Sequence, residues 1–345
     1  MSEETEVLFE EENGLGLISL NRPRALNALT THMCAMMDEK LTEWAADDKI
    51  KAVVIRGMGD KAFCAGGDVK SLAQNGPEKP EAAKEFFATE YAMNGRIFHF
   101  PKPYIALIDG ICMGGGVGVS VHGSHRIVTE RTLFAMPESM IGLVPDVGGS
   151  YFLPRLPGKL GLYLGLSGYR LKGADVLYAG IGTAYMTSDR LEALVDALKE
   201  ETIEDYRDVD GIVARFAVDP GEAPLDEFRD LIDAAFDEDN VEDIFDHLDA
   251  IDHDWAAKTL KNLQKMSPMS LKVALEQLRR GAEMNFDEGM TMEYSIVSHI
   301  VSHPSDFYEG VRALLIDKDN NPAWKPSTIE DVTDEMVLAH FNQAQ

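Results

Sequence analysis

Between Ile111 and Gly149 the chain concentrates glycines and carboxylates. It reads Ile111-Cys112-Met113-Gly114-Gly115-Gly116-Val117-Gly118, then Phe134-Ala135-Met136-Pro137-Glu138, then Pro145-Asp146-Val147-Gly148-Gly149. Adjacent glycines let a main chain approach a ligand closely and aim its N–H groups at it. Glu138 and Asp146 each follow a proline, which stiffens the loop carrying the acid. A donor-rich turn with two carboxylates nearby suits chemistry at a carbonyl whose oxygen becomes an oxyanion. A second stretch, Phe63-Cys64-Ala65-Gly66-Gly67-Asp68, reads as a tight turn when taken alone. Paired with the triplet, it offers one N–H to the same oxygen, and the triplet offers another from a helix N-terminus, where the helix dipole adds positive potential.

Other chemistries fit less well. The triplet lacks the lysine and Ser/Thr of a phosphate-binding P-loop. No strand–GxGxxG–helix unit with a following ribose acid marks a dinucleotide site. His122 and His125 have no third ligand nearby, which argues against a metal site. Cys64 has no obvious histidine partner to make it a nucleophile. Ser120 and Ser124 show no nucleophile-elbow pattern.

The elements that must position these residues follow from periodicity. Val7–Glu10 and Leu15–Leu20 flank Asn13-Gly14, a hairpin signal. Thr30 or Thr31 caps a predicted helix to about Asp47. Lys51–Arg56 reads as a strand, 57–68 as a glycine-bearing loop, and Glu81–Phe98 as a helix. The pattern then recurs: a strand at Tyr104–Ile108, a helix opened by the glycine run, and short strands at Arg126–Thr129 and Leu133–Ala135. Strand pairs followed by a helix, repeated, predict an α/β fold of stacked ββα units around one core. From Leu160 onward helices dominate. Ser267 caps a helix over Met269–Arg280, and Phe286, Met290, Tyr294, Val297 and Val301 mark another. The reading is a ββα core over residues 1–200 and a mainly helical region over 201–345 packed on it.

With 345 residues, 45% of them hydrophobic, the chain can bury one large core and an appended unit. Its formal charge of −27, from 59 acidic and 32 basic residues, opposes nucleic acid and anionic membrane as partners. A polyanionic small molecule would need a local basic mouth. Much of the excess acid falls at 226–254 and reads as solvated helix faces. The acidic start has no apolar leader, and the cysteines, Cys34, Cys64 and Cys112, are odd in number and widely spaced. Both features point to a cytoplasmic protein without disulfides.

The two glycine loops, together with Asn21-Arg22-Pro23-Arg24-Ala25-Leu26-Asn27-Ala28-Leu29, resemble the crotonase (enoyl-CoA hydratase/isomerase) superfamily. The resemblance implies a crotonase-like spiral of ββα units, an acyl-CoA thioester as substrate, and an oxyanion hole from the Gly67 and Gly115 N–H groups. It further implies that Leu26 and Ala65 line the adenine and pantetheine path, with Arg24 and Lys70 as partners of the CoA phosphates. Hydratases of the superfamily carry one glutamate after the glycine run and a second in the Phe-x-x-Pro-Glu stretch. Here the first position is Gly118 and the second is Glu138. Water addition to a double bond in that manner uses two carboxylates, so the missing acid argues against hydratase activity.

An acid stands instead at Asp146, where hydratases have a small residue. That exchange, Ser120-Val121-His122-Gly123, Thr291-Met292-Glu293-Tyr294, the 306–319 stretch and Trp324-Lys325-Pro326 are similar to the superfamily's hydrolases of 3-hydroxyisobutyryl-CoA. This likeness implies a thioester hydrolase with Glu138 as nucleophile or general base and Asp146 orienting the substrate hydroxyl or water. Glu90, Gly115, Glu138 and Asp146 would contact substrate. No cofactor is implied, since CoA is part of the substrate. Two alternatives stand beside it: an enoyl-CoA hydratase or isomerase, and a non-catalytic acyl-CoA-binding protein. The superfamily also makes a homo-oligomer an option, against a helical tail that folds back on its own chain.

Overall fold

The computed structural model describes residues 5–74 and 76–342. The acidic residues 1–4 at the start lie outside it. Strands β1 (Val7–Glu12) and β2 (Leu15–Leu20) form the expected antiparallel hairpin. Asn13 and Gly14 join them with φ of 51° and 88°, the left-handed pair a two-residue turn needs. Beyond the hairpin, each passage of the chain lays down one long strand and one short strand. The long ones, β3 (Ala52–Gly57), β5 (Tyr104–Ile108) and β7 (His125–Val128), run parallel beside β2. With a late strand β10 (Ala184–Tyr185) they complete a six-stranded sheet ordered β1-β2-β3-β5-β7-β10.

The short ones, β4 (Ala62–Cys64), β6 (Ile111–Met113) and β8 (Leu133–Ala135), also run parallel. Closed by β9 (Leu171–Lys172), they make a four-stranded sheet, β4-β6-β8-β9. This is the repeated ββα spiral, followed by a helical C-terminal region. Strands β4 and β6 are absent from the sequence reading, which took 57–68 as loop. Each runs directly into a glycine turn, which masks it as loop.

The helices start where their caps predict. Thr30 Oγ1 accepts from Met33 N–H at 3.2 Å ahead of the Thr31–Ala46 helix. A helix fills Glu81–Phe98. Ser267 Oγ accepts from Ser270 N–H at 3.0 Å to start the Pro268–Ala282 helix. Asn285 and Glu288 form a capping box for the Phe286–Ser302 helix.

The chain forms two compact units, each assembled from three segments: 1–67, 92–135 and 170–226 in the first, and 68–91, 136–169 and 227–345 in the second. Residue 200, where the sequence reading divides the chain, falls within the 170–226 segment of the first unit. In the first unit, Leu15, Leu17, Val54, Ile105, Leu107 and Ile127 of the large sheet pack against Leu194, Leu198, Val209 and Ile212. Those last four lie on the Leu191–Glu200 and Tyr206–Phe216 helices. The second unit is helical, and its close approaches need glycine. A Cβ on Gly281 would lie 2.0 Å from the Ser150 carbonyl oxygen.

Two glycine substitutions should shift stability in opposite directions. A Cβ on Gly116 would meet the Cys64 carbonyl oxygen at 2.1 Å, so Gly116→Ala must force main chain apart. Loss of about 3 kcal/mol is expected in denaturant unfolding. Gly211 is exposed within a helix and nothing lies within 4 Å of its Cβ position. Gly211→Ala should gain about 0.5–1 kcal/mol in the same measurement.

Candidate active site

In the first unit, pairing of β4 with β6 sets Ala62 against Ile111 and Cys64 against Cys112. It thereby brings the two glycine turns together. Gly66 has φ of 117°, and Gly114 has φ of 50° with ψ of −122°, conformations that favour glycine. A Cβ on Gly66 would sit 3.3 Å from Met113 O and 3.8 Å from Gly115 N. The first turn is anchored through Leu29 N–H to Gly66 O (2.8 Å) and Ala65 N–H to Leu26 O (3.0 Å), bonds that do not use the Gly67 N–H. Val117 and Gly118 N–H groups reach Gly114 O at 2.7 and 3.3 Å and close the Gly115–Gly118 helical turn. At the first position of that turn, the Gly115 N–H has no acceptor within the helix. Gly118 is buried and carries no side chain.

The Asn21–Leu29 segment is tied to the same strands by Asn27. This fully buried amide donates to Met58 O (3.0 Å) and Ala62 O (2.9 Å) and accepts from Arg22 N–H (3.0 Å). Leu26 and Asn27 both have left-handed φ, 53° and 56°. Arg24 and Leu26 line a cleft of about 240 Å³ together with Lys61, a second cation that sequence reasoning passed over. Lys70 is exposed on the Val69–Ala73 helix of the second unit.

The acids gather in the second unit. Glu90 is 2% exposed on the Glu81–Phe98 helix, where the residues alone gave only a polar helix position. Glu138 and Asp146 are each 4% exposed. Gly148, rather than Asp146, occupies the N-cap of the Gly149–Phe152 turn, with no side-chain cap bond. The Asp146 carboxylate instead accepts from the Tyr91 hydroxyl at 2.7 Å. Glu90 Oε1 and Glu138 Oε2 have no hydrogen-bond partner in the protein.

Burial, and then the nearby Asp146 charge, push the Glu90 and Glu138 carboxyls well above the usual range. Burial raises Asp146 to about 6, with the Tyr91 hydroxyl pulling the other way. Acids whose ionisation is so perturbed beside unpartnered oxygens suit proton transfer at near-neutral pH.

Two members of the cluster were missed. Tyr91 neighbours Glu90 in the chain and orients Asp146. Glu293, 0% exposed, takes N–H bonds from Gly148 and Ser150, and burial raises it to about 8. The signal for Glu293 was available: it falls on the apolar stripe of Phe286, Met290, Ile296 and Val297, where an acid is out of place.

The competing assignments find no geometry. His125 meets Ser124 Oγ at 2.9 Å and Asp210 at 3.1 Å. Among the described residues no group of three or more His, Cys, Asp or Glu is placed to hold a metal. Cys34, Cys64 and Cys112 are buried, and none forms a disulfide among the described residues. The same residues contain no helix long and apolar enough to cross a membrane.

The raised acids set a pH dependence of stability. Each is easier to keep neutral in the fold than in the unfolded chain, so their contribution is full below about pH 4 and is lost as pH rises through about 6 for Asp146 and about 8 for Glu293. The melting temperature of the ligand-free protein should fall by about 5 °C between pH 5 and 8.5, and Glu293→Gln should flatten the upper part of that slope.

Comparison with known proteins identifies the family. The enoyl-CoA hydratase/isomerase family profile matches residues 15–341. A mitochondrial 3-hydroxyisobutyryl-CoA hydrolase of Danio rerio is 47% identical over 98% of this chain and 90% of its own length. Its Homo sapiens counterpart is 45% identical over 97% and 88%. Among solved structures, a carnitinyl-CoA dehydratase from Mycobacterium thermoresistibile superposes with a TM-score of 0.93 at 39% identity, covering 99% of this chain and 97% of its own. An enoyl-CoA hydratase from Rhodobacter sphaeroides gives 0.89 at 38%, covering 98% of each. With its spiral and both glycine turns in place, this chain belongs to the enoyl-CoA hydratase/isomerase family of the crotonase superfamily.

Proposed function

We propose that the protein hydrolyses the thioester of 3-hydroxyisobutyryl-CoA, releasing 3-hydroxyisobutyrate and CoA, a step of valine breakdown. The observation that carries this reading is the disposition of acids: Glu138 and Asp146 share one buried cluster, while Gly118 contributes none. The relatives named hydrolases at 45–47% identity support it. The Gly67 and Gly115 N–H groups take the thioester oxygen and stabilise its developing charge. Glu138 acts at the carbonyl, either by taking a proton from water as the C–O bond forms or by attacking to give a transient anhydride that water opens. The C–S bond breaks with its electron pair on sulfur, which leaves as the thiol once protonated. Asp146, steadied by Tyr91, accepts from the substrate's 3-hydroxyl, and Glu90 lies within the same electrostatic cluster. Arg24 meets the CoA phosphates at the Lys61 cleft, and Lys70 is a second candidate.

The reaction draws on no separate cofactor, and three buried thiols suit a reducing compartment such as the cytoplasm. A hydratase reading is supported by likeness to a carnitinyl-CoA dehydratase and an enoyl-CoA hydratase. It requires a second acid where this chain has Gly118.

Thiol release should be followed over a panel of acyl-CoAs, with crotonyl-CoA watched for loss of enoyl absorbance. Thiol release from 3-hydroxyisobutyryl-CoA without crotonyl-CoA hydration is expected; the reverse pattern would make the protein a hydratase, and binding without either would make it a carrier. The hydroxypropionyl thioester differs by one methyl, worth about 1–3 kcal/mol, so it should also turn over, at most about 200-fold less efficiently. Glu138→Gln should lower kcat by about 10²–10⁴-fold, and unchanged activity would remove Glu138 from the mechanism. In a single turnover in heavy-oxygen water, label in Glu138 would identify the anhydride route and its absence the general-base route.

Activity should also depend on pH in a defined sense. Asp146 must be ionised to accept from the substrate hydroxyl, so kcat/KM should rise as pH passes through about 6. A profile that stays flat from pH 5 to 7 would contradict the role given to Asp146.

A further inference from the structure

The segment carrying Asp146 is gripped on both sides by fully buried side chains of the C-terminal helices. Gln277, on the Pro268–Ala282 helix, donates from Nε2 to the Pro145 carbonyl oxygen at 2.6 Å. Glu293, on the Phe286–Ser302 helix, accepts from the Gly148 and Ser150 N–H groups at 2.8 Å each and also bonds the Ser150 hydroxyl. Both side chains are 0% exposed. Between these anchors stand Asp146 and Val147, and Val147 has φ of 52°. A β-branched residue avoids that left-handed conformation, which persists only where the surroundings over-determine it. The bonds to Pro145, Gly148 and Ser150 supply that determination.

Packing alone does not account for the residue types. Glu293 sits on an apolar helix stripe where a leucine or methionine would avoid the desolvation of an acid. Gln277 leaves its Oε1 without a partner. What the two polar groups secure is the course of the main chain on either side of Asp146.

We propose that Glu293 and Gln277 are positioning residues that hold the 145–150 segment so that the Asp146 carboxylate, aligned by Tyr91, is presented to the acyl group. The proposal rests on reading Asp146 as the carboxylate that meets the substrate.

Two near-isosteric variants test it. Glu293→Gln turns one acceptor into a donor facing a main-chain N–H. Gln277→Met removes the donor to Pro145 together with the unpartnered oxygen, so it does not threaten the fold. For the parent and both variants, kcat and KM for thiol release from 3-hydroxyisobutyryl-CoA, affinity for free CoA and the melting temperature are measured. Displacing an acting group by as little as 1 Å is enough for a loss of about 10- to 100-fold, so kcat should fall by that factor. Affinity for CoA should stay within about twofold and cooperative melting should be retained. Parent-like kcat in both folded variants would overturn the proposal. So would a loss of kcat matched by lost CoA affinity and a lowered melting temperature, which marks a merely structural role. A parent that releases no thiol overturns the hydrolase reading itself, and does so before any variant is compared.

Discussion

A carboxylate removed from water needs donors, and the second unit removes Glu90, Glu138, Asp146 and Glu293 together. Each ionisation makes the next harder, because like charges in a poorly screened interior repel. The protein spends its few available donors unevenly. Asp146 receives the Tyr91 hydroxyl, and Glu293 receives two main-chain N–H groups and a serine hydroxyl. Glu90 and Glu138 each keep an oxygen with no partner. Two acids are thus fixed by hydrogen bonds, while two retain lone pairs for something other than the protein.

The glycine turns of the first unit meet the opposite requirement. There main chain lies against main chain, so side chains are excluded. Gly66 and Gly114 adopt conformations that suit glycine, and Gly116 lies against the Cys64 carbonyl with no room for a methyl group. The short strands β4 and β6 exist to hold these turns. Being short, they leave both turns close to the points where the sheet ends.

Much of this was legible in the chain. The hairpin at Asn13-Gly14, the cap at Ser267 and the helix over Glu81–Phe98 follow from turn chemistry and a 3.6-residue period. The glycine stretches read as two turns meeting at one oxygen, and the pairing of β4 with β6 does bring the turns together. Strands β4 and β6 were illegible because each runs directly into a glycine turn that reads as loop. The burial of Glu90 was illegible because one polar residue on an amphipathic helix reads as solvated until the packing around it is known. Glu293 was legible in principle, as an acid on an apolar stripe. Tyr91 was not, because its partner Asp146 is distant in sequence and only the fold joins them.

The crowding of acids around Asp146 bears on the end of the reaction as well as its beginning. An acyl thioester arrives with no charge on its carbonyl carbon, and its hydrolysis leaves a carboxylate in the same place. That new anion stands among acids already resisting ionisation, so its own negative charge works against its remaining there. The proton set free by hydrolysis finds acceptors close by in the same raised carboxyls. If the thioester is hydrolysed there as proposed, the same cluster favours release of the acid product and disfavours its recapture.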